Sequence, residues 1–141
     1  MDFTPTVKWA PIDVTPMGRI LIIEDDAAIR EMLMRRLVLR GFAVEQAPDG
    51  ETGLAMIRAS RPDVLVLDHG LPGISGWDVA RTLRADPAFA TLPIIALTAH
   101  AGEPSRLAAL AAGCSTFLTK PVDMKALERE IRRHLGHGGV Q

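Results

Sequence analysis

Asp68 closes an apolar run, Val64-Leu65-Val66-Leu67, and is followed by His69-Gly70-Leu71-Pro72-Gly73. Such a run of β-branched and leucine residues reads as a strand buried on both faces. A carboxylate at its C-terminal end stands where open parallel sheets place their ligands. Three other clusters follow apolar runs in the same way: Glu24-Asp25-Asp26, Thr98-Ala99 and Lys120-Pro121. Carboxylates gathered in one place repel, which raises their pKa values unless a cation sits among them. A hard divalent ion with oxygen ligands meets that need. Mg2+ favours one or two carboxylates together with waters and a phosphate, and Mn2+ accepts the same donors. One ammonium and one hydroxyl complete a set suited to the oxygens of a phosphoryl group in transfer. The Asp68 carboxylate is then a candidate nucleophile, giving an acyl phosphate. Any one of these residues alone is an ordinary polar strand end. Their joint placement at successive strand ends argues for a site.

The elements that must position them alternate along the chain. Ile20 to Ile23 reads as the first strand. Residues 27–40 follow as a helix, with Ile29, Leu33 and Leu37 at helical spacing and Gly41 as its stop. The second strand is expected over 42–46, and Asp49 caps a helix running to about Ser60 with Leu54 and Ile57 inward. The third strand is 64–67, and the third helix runs over 76–85 with Val79 and Leu83 on one face. Trp77, at the start of that helix, is expected to face the core. The fourth strand is 94–97. Pro104 fits the first turn of a helix ending near Gly113. The fifth strand is 116–119, and Leu127, Ile131 and Leu135 mark a last helix stopped by Gly136.

Strict alternation of apolar strands and helices implies a doubly wound α/β fold, a parallel sheet covered on both faces. Right-handed crossovers leave few arrangements, and the flavodoxin-like (βα)5 order 2-1-3-4-5 fits this length best. In that order strands one, three, four and five are neighbours, so their C-terminal ends converge on one crevice. The domain is expected over 18–136. Residues 1–17, punctuated by Pro5, Pro11 and Pro16, read as a flexible extension, and 137–141 as a short tail. Met17 also stands where an alternative start would fall.

The 141 residues suffice for one domain with a sizeable core. Hydrophobic residues at 48% and charged residues at 23% are ordinary for a globular protein. A formal net charge of -1 gives no general attraction to nucleic acid or anionic lipid. No apolar run approaches the ~20 residues of a membrane helix, and the N-terminus lacks a signal-peptide pattern. Neither nucleic-acid nor membrane partners are expected. The single cysteine, Cys114, excludes an intramolecular disulfide and fits a cytoplasmic location. It reads as a packing residue rather than a nucleophile.

The stretches Ile20-Leu21-Ile22-Ile23-Glu24-Asp25-Asp26, Asp63-Val64-Leu65-Val66-Leu67-Asp68, Leu71-Pro72-Gly73-Ile74-Ser75-Gly76, Ile94-Ile95-Ala96-Leu97-Thr98-Ala99 and Phe117-Leu118-Thr119-Lys120-Pro121 resemble the receiver domain of bacterial two-component response regulators. The resemblance covers about residues 19–135. It implies that Asp68 accepts a phosphoryl group from a phosphohistidine on a sensor histidine kinase or histidine phosphotransfer protein. Asp25 and Asp68 would bind Mg2+ directly, Glu24 through water, and the main-chain carbonyl of Gly70 would complete the set. Lys120, the Thr98 hydroxyl and the Ala99 amide would contact phosphoryl oxygens, and the Lys120–Pro121 bond would be cis. Thr98 would move inward on phosphorylation with Phe117 rotating beside it. That motion remodels the surface of the fourth helix, fifth strand and fifth helix for an unknown downstream protein or a homodimer. Such domains catalyse their own phosphorylation and dephosphorylation and are not turnover enzymes.

Because the sequence ends five residues after Gly136, the expectation is a stand-alone receiver acting by protein binding or as a phosphate shuttle or sink. Two alternatives stay open: a phosphate-independent receiver-like interaction module, and a receiver fragment of a hybrid histidine kinase. A phosphatase of the haloacid dehalogenase type would need an acid two residues after the nucleophile, where Gly70 stands.

Several residues depart from the family's usual pattern. Gly70 replaces a larger side chain and predicts easier access of water to the acyl phosphate. His100 is a candidate for tuning charge near the phosphoryl group, whereas the His69 side chain is expected to face solvent. Phe117 replaces a tyrosine, so its rotamer rests on packing alone. The fourth helix, Leu107-Ala108-Ala109-Leu110-Ala111-Ala112, is almost uncharged and offers an apolar surface. The last helix carries a Glu128–Arg132 pair and an exposed charged face.

Overall fold

In the computed structural model, which describes residues 17–139, five strands form one parallel sheet: β1 (Arg19–Ile23), β2 (Ala43–Ala47), β3 (Val64–Asp68), β4 (Ile94–Thr98) and β5 (Thr116–Thr119). Their order is β2-β1-β3-β4-β5, as the alternation of elements predicts. The crossovers are α1 (Ala27–Leu39), α2 (Gly50–Ala59), α3 (Gly76–Ala85) and α4 (Glu103–Ala112), and α5 (Met124–Gly139) closes the fold. The expected extension over 1–16 lies outside the described residues. Met17 itself donates its main-chain N–H to the Gly41 carbonyl at 2.9 Å. None of the helices among the described residues is long and apolar enough to cross a membrane.

Every residue of β3 and β4 is buried, because both faces of the sheet are covered. The two-residue period of a strand then sorts side chains between two cores. Leu21, Ile23, Leu65, Leu67, Ile94 and Ala96 pack toward α2, α3 and α4. Ile20, Ile22, Val64, Val66, Ile95 and Leu97 pack toward α1 and α5.

Helix starts are set by side-chain caps. Asp26 accepts the Ala28 and Ile29 amides, and Asp49 accepts that of Thr52. Ser75 and Asp78 form a reciprocal capping box at α3. The last residues before β2 and β5 need a left-handed turn, which Gly41 (φ 102°) and Gly113 (φ 105°) supply.

The structure corrects several expectations. The second strand begins one residue later than predicted, at Ala43, with Phe42 fully buried just before it. The α5 helix continues through Gly136 to Gly139. A glycine weakens a helix by about 1 kcal/mol but does not end it unless the chain turns there, and Gly136 is not among the glycines at positive φ. A 3-10 turn, Pro87–Phe89, capped by Asp86, was not signalled by periodicity.

Candidate functional site

Strand alternation continues past the apolar runs and aims the polar residues. Glu24 follows Ile20 and Ile22, Asp68 follows Val64 and Val66, and Lys120 follows Leu118, all on the α1/α5 side of the sheet. Thr98 follows Ile94 and Ala96 on the opposite side. The residues expected at the site therefore meet at the C-terminal edge of β1, β3, β4 and β5. The cavity there has a volume of about 430 Å³, and its lining includes Glu24, Asp25, Asp68, Gly70, Ala99 and Lys120.

Two carboxylates face one ammonium. Lys120 Nζ lies 2.9 Å from Asp68 Oδ1 and 3.2 Å from Glu24 Oε1. Glu24 is 1% exposed and Asp68 3%. Burial is the main cause that raises the Glu24 pKa above its ordinary value, assisted by the negative Asp68 and opposed by the Asp26 amide and Lys120. Partial burial works against the Lys120 ammonium, but its two ion pairs outweigh this and its pKa is raised. The Gly70 amide donates to Asp68 Oδ1 at 3.3 Å, and the Asp26 amide donates to Glu24 Oε2 at 3.1 Å. The Lys120–Pro121 peptide bond is cis.

The donor set suits a hard cation. Oxygens of Glu24, Asp25 and Asp68 all lie within 4.8 Å of one another. Glu24 Oε1 is buried, and the Lys120 ammonium beside it at 3.2 Å is shared with Asp68. One ammonium shared by clustered carboxylates leaves an excess of negative charge, which is costly where it is buried and which a further cation would compensate. Divalent ions with oxygen preference match this arrangement.

Thr98 is 1% exposed, and its hydroxyl accepts the His100 amide at 3.2 Å, leaving its own proton free to donate. It lies beside the cavity rather than among its lining residues. Phe117 pairs with Ala96 in the ladder and packs, half-buried, on the α2–α4 side, the side Thr98 faces. His100 lines the cavity. Cys114 is buried and its thiol is pushed up to about 11 by desolvation, which suits a packing residue and not a nucleophile.

His69 does not simply face solvent. Its ring stacks on Trp77 with centroids 4.3 Å apart and planes 26° from parallel. The cause is the close approach of α3: the Gly76 amide donates to the His69 carbonyl at 3.0 Å. A Cβ at position 76 would collide with the Asp68 carbonyl and the His69 Cα. Two further residues at the site, Arg30 and Gln46, carried no motif. Arg30 Nη1 donates to the Glu24 carbonyl at 2.8 Å, and its Nε donates to Gln46 Oε1 at 2.9 Å. The helical spacing of Arg30 after the acidic cluster, one turn past the Asp26 cap, was the available signal.

Fold and pocket together define a receiver-type signalling domain. The family model for the response regulator receiver domain matches residues 20–132, and the chain belongs to that family. Response regulator MprA of Mycobacterium avium is 43% identical over 114 residues, covering 81% of this chain. MprA of Mycobacterium tuberculosis is identical to the same extent. The chain spans about half the length of these curated relatives, 49% of each. Chemotaxis response regulator CheY4 of Vibrio cholerae superposes with a TM-score of 0.79 at 28% identity, covering 84% of this chain and 98% of that one. The receiver domain of sensor histidine kinase PA1611 from Pseudomonas aeruginosa, solved with magnesium in its active site cleft, gives 0.78 at 31% identity, covering 84% and 98%. The domain is thus a module of two-component signalling, in which receiver domains interact with histidine kinases and bind Mg2+ at an acidic site.

Proposed function

We propose that residues 18–136 form a phosphoacceptor receiver in which Asp68 takes a phosphoryl group from a phosphohistidine of a sensor kinase or phosphotransfer protein. The observation that carries this reading is the Lys120–Asp68–Glu24 cluster at the sheet's C-terminal edge. A carboxylate oxygen of Asp68 attacks phosphorus, the P–N bond breaks, and the departing imidazole nitrogen takes a proton from solvent. Lys120 and the Ala99 amide would meet phosphoryl oxygens that gain charge in the transfer, and the Thr98 hydroxyl would join them by moving inward. Glu24, Asp25, Asp68 and the Gly70 carbonyl are the groups that would hold Mg2+. When bound, that ion supplies neutralisation of the carboxylates and of the phosphoryl oxygens.

The signal then passes from Thr98 to Phe117 on the same face of the sheet, and on to α4, β5 and α5. The α4 helix buries Ala109 and Ala112 but leaves Leu107 and Leu110 53% and 42% exposed, which supports a protein-binding surface there. A downstream protein or a second copy of the chain is its proposed occupant, in a cytoplasmic setting. Phosphorylation biases two conformations through its differential contacts.

The test is incubation with a small phosphodonor and Mg2+, followed by intact-mass spectrometry. The wild type gains one phosphoryl group and Asp68→Asn gains none. Equal labelling of both proteins refutes the assignment. Absence of labelling in the wild type, with its histidine kinase also supplied, favours the phosphate-independent module instead.

A further inference from the structure

Asp25 is the exposed member of the acid cluster, whereas Glu24 and Asp68 are buried. The packing that immobilises the other two is therefore lacking around its carboxylate, and its position depends on the main chain that carries it. That main chain is pinned from outside. The Glu24 carbonyl accepts from Arg30 Nη1 at 2.8 Å. The Glu24 carbonyl and the Asp25 nitrogen and Cα lie in one planar peptide unit. Holding the carbonyl oxygen thus fixes the plane from which the Asp25 side chain departs. Arg30 is itself held: its Nε donates to Gln46 Oε1 at 2.9 Å, and Gln46 Nε2 contacts Met34 Sδ at 3.0 Å. The clamp spans α1 and β2 and closes on the Glu24–Asp25 peptide just past the end of β1.

We infer that Arg30, clamped by Gln46, is a positioning residue that orients the Glu24–Asp25 peptide for binding a small, geometrically demanding divalent cation. Arg30 touches neither the acid oxygens assigned to the ion nor the phosphoryl group, so it acts through Asp25. The inference rests on the proposed metal site. Groups that orient metal ligands from behind typically change affinity by about 10- to 100-fold when removed. Cation size gives the discriminating readout. Mg2+ demands near-ideal octahedral geometry, whereas Ca2+ accepts irregular arrangements. A misdirected Asp25 therefore penalises Mg2+ more than Ca2+, while general loosening of the fold penalises both alike.

The experiment is calorimetric titration of the full chain with MgCl2 and, separately, CaCl2. Arg30→Met keeps an unbranched aliphatic stem and removes the donors. It is expected to weaken Mg2+ binding about 10-fold or more and Ca2+ binding by distinctly less. Gln46→Leu, which leaves Arg30 in place but unheld, shows the same ordering with smaller losses and carries the test if Arg30→Met does not fold by circular dichroism. Unchanged Mg2+ affinity in a folded variant, or equal losses for the two cations, overturns the inference while leaving the site assignment standing. A wild type that binds neither cation overturns the metal site itself, and the inference with it.

Discussion

Asp68 is a buried carboxylate that an ammonium and a main-chain amide both address, beside two further acids. Lys120 and the Gly70 amide both contact its Oδ1. The residue two positions on is expected to influence how long a phosphoryl group would survive there. A Cβ at Gly70 meets no atom within 4 Å, so the mouth of the pocket is open at that point and a side chain can be added without collision. Gly70→Asn or Gly70→Met is therefore expected to slow autodephosphorylation several-fold by screening the acyl phosphate from water, with no loss of labelling. The decay of phosphorylated protein over time checks this, and an unchanged half-life removes Gly70 as a determinant. At this scale the sequence was legible wherever a residue's role follows from its place at a strand end. His69 was not, because its partner Trp77 reaches it only through the approach of a helix.

The α3 element shows how a helix start serves the site. Its capping box satisfies the Ser75 and Asp78 amides, and the Arg81 and Ser75 partners hold the exposed Asp78 carboxyl below its ordinary pKa. Ser75→Ala is expected to cost about 1 kcal/mol of stability in urea titration. Gly76→Ala differs in kind. Its methyl must displace the Asp68 carbonyl or the His69 Cα, so it is expected to lower stability and the rate of phosphorylation together, whereas Ser75→Ala lowers stability alone. Equal phosphorylation rates in the two variants would contradict this use of Gly76. In α4 the sequence indicated an apolar surface but not its orientation. The small residues Ala109 and Ala112 face the core, so the leucines are left outside. In α5 the Glu128–Arg132 pair forms as its spacing implies, at 2.8 Å, and Glu128 also reaches Arg40 at 3.4 Å. The second partner stands at the C-cap of α1 and has no sequence signal.

Across the whole molecule, the acid cluster ties stability to pH and, through the proposed site, is expected to tie it to a divalent cation. Glu24 has a folded-state pKa raised above its ordinary 4.5. Through this group the apo protein is most stable below 4.5, and that contribution is lost as pH rises through the raised value. A divalent cation binds the ionised carboxylates, so Mg2+ should raise the melting temperature at neutral pH and do so less as pH falls toward 4.5. At a hundred times its dissociation constant a ligand adds about 2.7 kcal/mol. Scanning calorimetry with and without Mg2+ at the two pH values measures the difference, and Asp25→Asn should abolish the neutral-pH gain. A Mg2+ effect that grows on acidification would refute the linkage. The sequence by itself determined the class of fold, the strand ends that carry the polar residues and the membership of the candidate set. Those follow from local hydrophobic periodicity and from residue types at the ends of apolar runs. Only the tertiary structure decided that Arg30 and Gln46 brace the Glu24 peptide, that His69 lies on Trp77 and that Glu24 and Asp68 share the Lys120 ammonium. Each depends on how closely two elements approach across the sheet edge, a distance set by side-chain packing between segments remote in sequence and encoded in no short stretch of the chain.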